Sequence, residues 1–141
     1  PNRDVEYPAG SNGFHGNCSP RVIEQCLERY TKIGDLILDS VAGSGTTIDV
    51  CKAMGRKCLA YDINTYGLRN DIKKGNALNL GLKAESVNFI FDHIPYHDIV
   101  DYSQYNPEHK KEDCDISLMP EDKFFEAIYE LFKHNERILK K

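Results

Sequence analysis

Hydrophobic and polar positions along the chain follow patterns that predict alternating helices and strands. After Pro20, apolar residues recur at helical spacing until Gly34. Residues 35–39 form a short apolar run between turn formers, which is typical of a buried parallel strand. Residues 46–54 predict a second helix ending at Gly55, and residues 57–62 and 86–92 predict further strands. Strands that alternate with helices predict an α/β fold, with a parallel sheet covered by helices on both faces.

The two ends of the chain differ in pattern. Residues 1–16 are rich in Gly, Pro, Asn and Ser and predict an irregular segment. Residues 102–119 are polar and charged without periodicity, and they predict a mobile loop. From Pro120, apolar residues at helical spacing predict a last helix, after which the pattern predicts no strand. We therefore expect one domain over residues 1–141.

Composition limits the partners and the compartment. The chain has 141 residues and a formal net charge of −4, so any DNA-binding surface is expected to be local. Its 5 cysteines form no Cys-x-x-Cys pair, which disfavours a disulfide framework or a zinc site and favours a reducing cytoplasm. No apolar run approaches the ~20 residues that span a bilayer, and we expect no membrane association and no metal.

A glycine turn, residues 39–47, joins the first predicted strand to a helix. It lacks the Lys of a phosphate-binding P-loop, and Ile48 replaces the third glycine of a dinucleotide fingerprint. Acids end two successive strands, Asp39 and Asp62, at the edge of the sheet where ligands of open α/β folds bind. Asp39 can pair with an ammonium group, and Asp62 can accept hydrogen bonds from ribose hydroxyls. The alternative is a tight turn with two aspartates that only cap strands.

These residues resemble the N4-cytosine and N6-adenine DNA methyltransferases, whose loop reads Asp-Pro-Phe-x-Gly-Ser-Gly-Thr-Thr. The resemblance implies a Rossmann-like fold that binds S-adenosyl-L-methionine. Residues 14–17 resemble the segment that closes over the methionine end of that cofactor, and residues 75–77 resemble the loop that reads its adenine. The cofactor-binding residues that the resemblance implies are Phe14, His15, Asn17, Asp39, Ala42, Gly43, Ser44, Gly45, Thr46, Asp62, Ile63, Asn76 and Ala77.

The resemblance places the catalytic segment at residues 93–96. The family has Asp, Asn or Ser, then two prolines and an aromatic residue; here stand His93, Ile94, Pro95 and Tyr96. The first residue and the next carbonyl accept hydrogen bonds from the target amine, and the aromatic ring stacks on a flipped base. Tyr96 could instead be a core residue. Taking Asp92 as the acceptor would insert a residue before Pro95. Because a protonated imidazole cannot accept, we expect little or no methyl transfer by the chain as given.

Two other functions stay open: a catalytically inactive cofactor-binding or assembly module, and an RNA base methyltransferase. Members of the family continue beyond the last helix, so the fold is expected to be incomplete at the C-terminus. A partner chain or a second copy could complete the sheet, because an open sheet edge favours association.

Overall fold

The computed structural model describes residues 5–11, 13–14, 16–64, 69–97, 99–100 and 115–141. Its regular elements are listed in chain order. They are α1 (Pro20–Tyr30), β1 (Leu36–Asp39), α2 (Thr46–Ala53), β2 (Lys57–Asp62), β3 (Ile72–Lys74), β4 (Phe89–Ile90), a 3-10 helix (Ile116–Leu118) and α3 (Glu121–Ile138). None of the described helices combines the length and the hydrophobicity that crossing a membrane requires.

The four strands form one parallel sheet in the order β3-β2-β1-β4. The chain runs outward from β1 to β2 and β3, and then returns to the other side of β1. This reversal lies between β1 and β4, where Ile37 pairs with Phe89 and Leu38 with Ile90. In open α/β sheets such a switch point leaves a crevice at the carboxyl ends of the strands.

Helices cover both faces of the sheet, because successive residues of a strand point to opposite sides. Ile37 packs with Ile23 of α1 and Val50 of α2. Its neighbour Leu38 packs on the other face with Ile138 of α3. All five side chains are fully buried. The predicted α/β architecture with helices on both faces is confirmed.

The strands differ from the predictions at two places. β3 was not predicted, because only Ile72 of its three residues is buried and the two lysines give no alternation. β4 pairs over only two residues of the run predicted at 86–92. Flanking hydrogen bonds extend its contact with β1: Asn88 N–H donates to the Leu36 carbonyl at 2.8 Å, and Phe91 N–H to that of Leu38 at 2.9 Å.

The C-terminal part of the chain also differs from the predictions. The last residues of the predicted loop include the 3-10 helix, which the Asp115 side chain caps through Ser117 N–H. After α3, where no strand was predicted, Leu139 forms a parallel bridge with Val87. Lys140 N–H donates to the Val87 carbonyl at 2.9 Å. The segment that leads into β4 therefore also forms backbone hydrogen bonds with the residues after α3.

Candidate functional site

A cavity opens at the carboxyl ends of the strands, at the switch point between β1 and β4. It brings together most of the residues that the sequence predicted. The predicted residues in its wall are Phe14, Asn17, Asp39, Ala42, Gly43, Thr46, Asp62, Ile63, Asn76, Ala77, His93 and Pro95. Four others, Ser44, Gly45, Ile94 and Tyr96, lie outside the wall. His15 lies outside the described residues.

The glycine loop, residues 40–45 of the glycine turn, joins β1 to α2 and contributes residues 40–43 to the wall. Gly43 has a φ of 51° and Gly45 a φ of 82°, in the left-handed region that glycine adopts without a Cβ clash. Gly43 N–H donates to Asp62 Oδ2 at 2.8 Å, which ties the loop to the end of β2. A Cβ on Gly43 would lie 2.9 Å from Cε1 of Phe14, so the aromatic ring packs directly on the loop backbone.

Gly43→Ala should weaken ligand binding at this cavity, because the methyl group displaces Phe14. The left-handed backbone adds a stability cost of about 1 kcal/mol. Gly81→Ala is the matched control, since Gly81 has a φ of 65° and open space around its ideal Cβ. Thermal unfolding should show similar losses for both variants, whereas titration calorimetry should show weaker binding of S-adenosyl-L-methionine for Gly43→Ala alone. Equal binding by the two variants would contradict this role for the Phe14 contact.

Asp39 ends β1 and is only 4% exposed. Burial, and then the neighbouring Asp92 carboxylate, raise the pKa of Asp39 to about 8. Val41 N–H donates to its Oδ1 at 3.2 Å. The raised pKa favours the protonated carboxyl group, and a cation placed beside Asp39 would favour the carboxylate.

Asp62 and Asn76 shape the opposite side of the cavity. Besides the bond from Gly43, Asp62 accepts one from Asn64 N–H at 3.0 Å through Oδ1. Asn76 Oδ1 accepts from Leu78 N–H at 2.9 Å, and this turn fixes the loop after β3.

The N-terminal segment lies over the glycine loop. Gly10 N–H donates to Asp49 Oδ2 at 2.8 Å, and Ser11 N–H donates to Ser44 Oγ at 3.0 Å. Ser44 Oγ in turn donates to Asn17 Oδ1 at 2.7 Å. Ser44 thus acts behind the cavity wall, where it joins the segment to the loop.

Arg69, which sequence reasoning missed, packs against the glycine loop on the side away from the cavity wall and forms ion pairs there. Its guanidinium contacts both oxygens of Asp49 at 2.8 and 2.9 Å, and it also pairs with Asp71 at 2.7 Å. A Cβ on Gly45 would lie 2.9 Å from the guanidinium carbon. Gly45 is therefore needed for the close approach of Arg69 as well as for its own backbone conformation.

The catalytic segment follows β4. The Tyr96 hydroxyl and His93 Nε2 are 3.3 Å apart, and the two rings meet edge to face with centroids 5.6 Å apart. Tyr96 is 43% exposed, which argues against its interpretation as a core residue. The next residue, His97, is partly buried, and its Nε2 lies 2.8 Å from the Met119 carbonyl oxygen.

Asp92 is not one of the residues that line the cavity, and its carboxyl group lies in a hydrogen-bond network. Its Oδ1 accepts from Ser40 N–H at 2.8 Å and from Ser40 Oγ at 2.9 Å. Its Oδ2 accepts from the Asn135 amide of α3 at 2.8 Å. Burial raises the pKa of Asp92. This arrangement is consistent with the frame that places His93, and not Asp92, at the acceptor position.

The wall suits a polar ligand that carries a positive charge. Among the described wall residues are the carboxyl groups of Asp39, Asp62 and Asp115, and this part of the wall contains no Lys or Arg. Thr46 Oγ1 is buried and has no hydrogen-bond partner in the described part of the chain. Gly10 of the N-terminal segment lies directly against this hydroxyl, where a Cβ would collide with it.

A family model for DNA methylases matches residues 2–73, which is half of the chain. The chain belongs to the DNA methylase family. Family membership implies S-adenosyl-L-methionine as the cofactor, and the residues of the cavity fit its ammonium and ribose groups. The match includes the glycine loop, Asp39 and Asp62, and it ends before the catalytic segment.

Two relatives and a solved structure resemble parts of this chain. The type II methyltransferase M.MjaII of Methanocaldococcus jannaschii is 32% identical over 62 residues, 44% of this chain and 12% of that protein. M.BamHI of Bacillus amyloliquefaciens is 29% identical over 59 residues, 42% and 14% of the two chains. The matches thus span a small part of these relatives.

The structure of a putative S-adenosyl-L-methionine-dependent methyltransferase from Methanococcus maripaludis has the same fold. The TM-score is 0.52 at 17% identity, and the match covers 86% of this chain and 51% of that one.

Proposed function

We propose that this chain is a methyltransferase domain that binds S-adenosyl-L-methionine and, against the expectation from residues 93–96 alone, methylates an exocyclic amine of adenine or cytosine in DNA. One observation carries the proposal. A single cavity contains the glycine loop, the acids at the ends of β1 and β2, and His93 and Pro95 of the catalytic segment. A cofactor site and an amine site that share one cavity are what direct transfer between two bound molecules requires.

The cofactor would lie along the carboxyl edge of the sheet. Asp39 would pair with its ammonium group, Asp62 would accept from its ribose hydroxyls, and Ile63, Asn76 and Ala77 would surround its adenine. Bound there, the cofactor supplies a methyl group on a positively charged sulfur. The segment that carries Phe14 lies over the glycine loop and would keep water from that end.

The catalytic segment would activate the target amine. An exocyclic amine is a poor nucleophile because its lone pair is delocalised into the ring. Hydrogen bonds from its N–H groups to a nitrogen of the neutral His93 ring and to the Ile94 carbonyl would localise that lone pair. The exposed Tyr96 ring would stack on the flipped base. After transfer, one amine proton passes to solvent.

The proposed partner is DNA, bound through a local surface, because the net charge of −4 disfavours an extended polyanion site. We also propose that a second copy or another chain extends the sheet. The proposed location is the cytoplasm.

A catalytically inactive cofactor-binding module is the second candidate. His93 and Ile94 favour it, because the charged or amide acceptor and the first proline of the motif are both replaced. Transfer of radiolabelled methyl groups to mixed-sequence DNA, with RNA as the comparison substrate, distinguishes the two. Incorporation into DNA supports the methyltransferase, and cofactor binding without incorporation into either substrate supports the module.

Asp62→Ala tests the cofactor site. Losing a hydrogen bond to a charged acceptor costs about 1.5–3 kcal/mol, so the affinity for S-adenosyl-L-methionine should fall by about tenfold or more. Asp35→Ala is the control. Asp35 directly precedes β1, so it lies at the amino ends of the strands, away from the cavity, and it accepts a hydrogen bond from Lys32 N–H. Titration calorimetry measures both. An unchanged affinity in Asp62→Ala would remove Asp62 from the site.

A further inference from the structure

Asp115 places a carboxyl group in the cavity from an element that the sequence motif does not contain. It precedes the 3-10 helix, is 7% exposed, and lies in the same cavity wall as His93 and Pro95. Its neighbour Ile116 is also buried in this wall. Sequence patterns missed both residues because they follow a polar segment without periodicity.

The orientation of Asp115 is fixed locally. Oδ1 accepts from Ser117 N–H at 3.0 Å and from Ser117 Oγ at 2.7 Å. The Asp115 carbonyl also accepts from Leu118 N–H at 3.1 Å. A carboxylate whose orientation is already fixed needs little reorganisation when it meets a donor of the substrate, and preorganised groups of this kind contribute strongly to catalysis.

The 3-10 helix is also joined to the catalytic segment. His97 Nε2 lies 2.8 Å from the carbonyl oxygen of Met119, directly after this helix. The His97 ring packs on Phe124 of α3 with centroids 4.8 Å apart. The end of the segment that carries His93 thus contacts the residue that follows the 3-10 helix.

We propose that Asp115 contacts the substrate and accepts a hydrogen bond from the target amine, which supplies the charged acceptor that residues 93–96 lack. This inference rests on the proposed function and assigns a catalytic residue to it. Asp39 ends β1 beside the glycine loop. Asp115 lies in the cavity wall together with His93 and Pro95 of the catalytic segment. The amine has two N–H groups, so it can donate to Asp115 and to His93 or the Ile94 carbonyl together.

A carboxylate fits the charge that develops during transfer. The amine lone pair forms the new N–C bond, the S–C bond breaks with its electron pair retained by sulfur, and one N–H proton leaves to water. Positive charge grows on the nitrogen before that proton departs. A charged acceptor stabilises this nitrogen more than a neutral imidazole does, because charge-assisted hydrogen bonds are about twice as strong as neutral ones.

Asp115→Asn separates this role from capping of the 3-10 helix. Asparagine is as good a cap as aspartate, so the variant keeps the helix and loses the charge. Ser117→Ala is the control, since it removes one hydrogen bond to Asp115 and leaves the carboxyl group in place. For Asp115→Asn we expect a thermal midpoint within about 2 °C of the parent chain and unchanged affinity for S-adenosyl-L-methionine. The kcat for methyl transfer to DNA should fall at least about tenfold.

A binding measurement tests the proposal without turnover. Adenosine and cytidine are titrated against their N6,N6-dimethyl and N4,N4-dimethyl derivatives, which have no amine N–H, and binding is followed by NMR. The parent chain and Ser117→Ala should prefer the nucleosides with N–H groups, and Asp115→Asn should show a clearly smaller preference, because a neutral amide oxygen accepts more weakly than a carboxylate. A preference that is undiminished in Asp115→Asn, or is absent from the parent chain, overturns the proposal. Failure to bind S-adenosyl-L-methionine would instead overturn the proposed function.

Discussion

Asp39→Asn should abolish measurable binding of S-adenosyl-L-methionine and yet raise the thermal stability of the chain. The pKa of Asp39 is raised to about 8 by burial and by Asp92, so the folded chain binds this proton more tightly than the unfolded chain does. The stability that the protonated form contributes is complete below the unfolded pKa, and it is lost as the pH rises through about 8. Asparagine keeps the shape and the neutral state at every pH.

The gain in thermal midpoint should therefore be small at pH 5 and reach several degrees at pH 9. Differential scanning calorimetry at both pH values measures this gain. Asp35→Asn is the control, and its thermal midpoint relative to the parent chain should be the same at both pH values.

In the parent chain, cofactor affinity should rise with pH up to about 8, with release of up to one proton on binding. Calorimetry in buffers of different ionisation enthalpy counts that proton. Asp39→Asn with normal affinity would show that Asp39 does not meet the ammonium group.

Asp92→Ala should lower the free energy of unfolding by about 3 kcal/mol or more. Three donors lose their acceptor at once: the N–H and hydroxyl of Ser40, and the Asn135 amide. Each unsatisfied buried donor costs about 1–3 kcal/mol, although the serine hydroxyl can rotate to another partner. Urea unfolding measures the loss.

Ser40→Ala removes only the hydroxyl bond and should cost about 1 kcal/mol. A loss in Asp92→Ala no larger than that of Ser40→Ala would mean that the bonds of the Ser40 N–H and Asn135 contribute little. Because Asp92 also raises the pKa of Asp39, Asp92→Ala should move the pH dependence of cofactor binding to lower pH.

The part of the fold that the sequence predicts well is the part built from local patterns. β1, α2 and β2 follow one another, and each has a clear apolar run or helical spacing. β3 escaped prediction because Lys73 and Lys74 are exposed and only Ile72 enters the core. Its strand conformation comes from pairing with β2, which is a tertiary effect.

The candidate site shows the same division. Asp39, Asp62 and the glycine loop lie at ends of predicted strands, so the rule for open α/β sheets placed them in one crevice. Arg69 and Asp115 were missed, and the hydrogen bonds of Asp92 were not predicted, because these residues act through partners distant in sequence or lie in a segment without periodicity. A carboxylate in such a segment has no local pattern that separates a wall residue from a solvated one.

The strand order also determines when the site can form during folding. The contacts among β1, α2 and β2 connect neighbouring segments, whereas Asp92 meets Ser40 across 52 residues. Closing the longer loop costs more chain entropy. We therefore expect β1, α2 and β2 to assemble as a local unit, and the docking of β4, which brings His93 to the cavity, to follow as a later step.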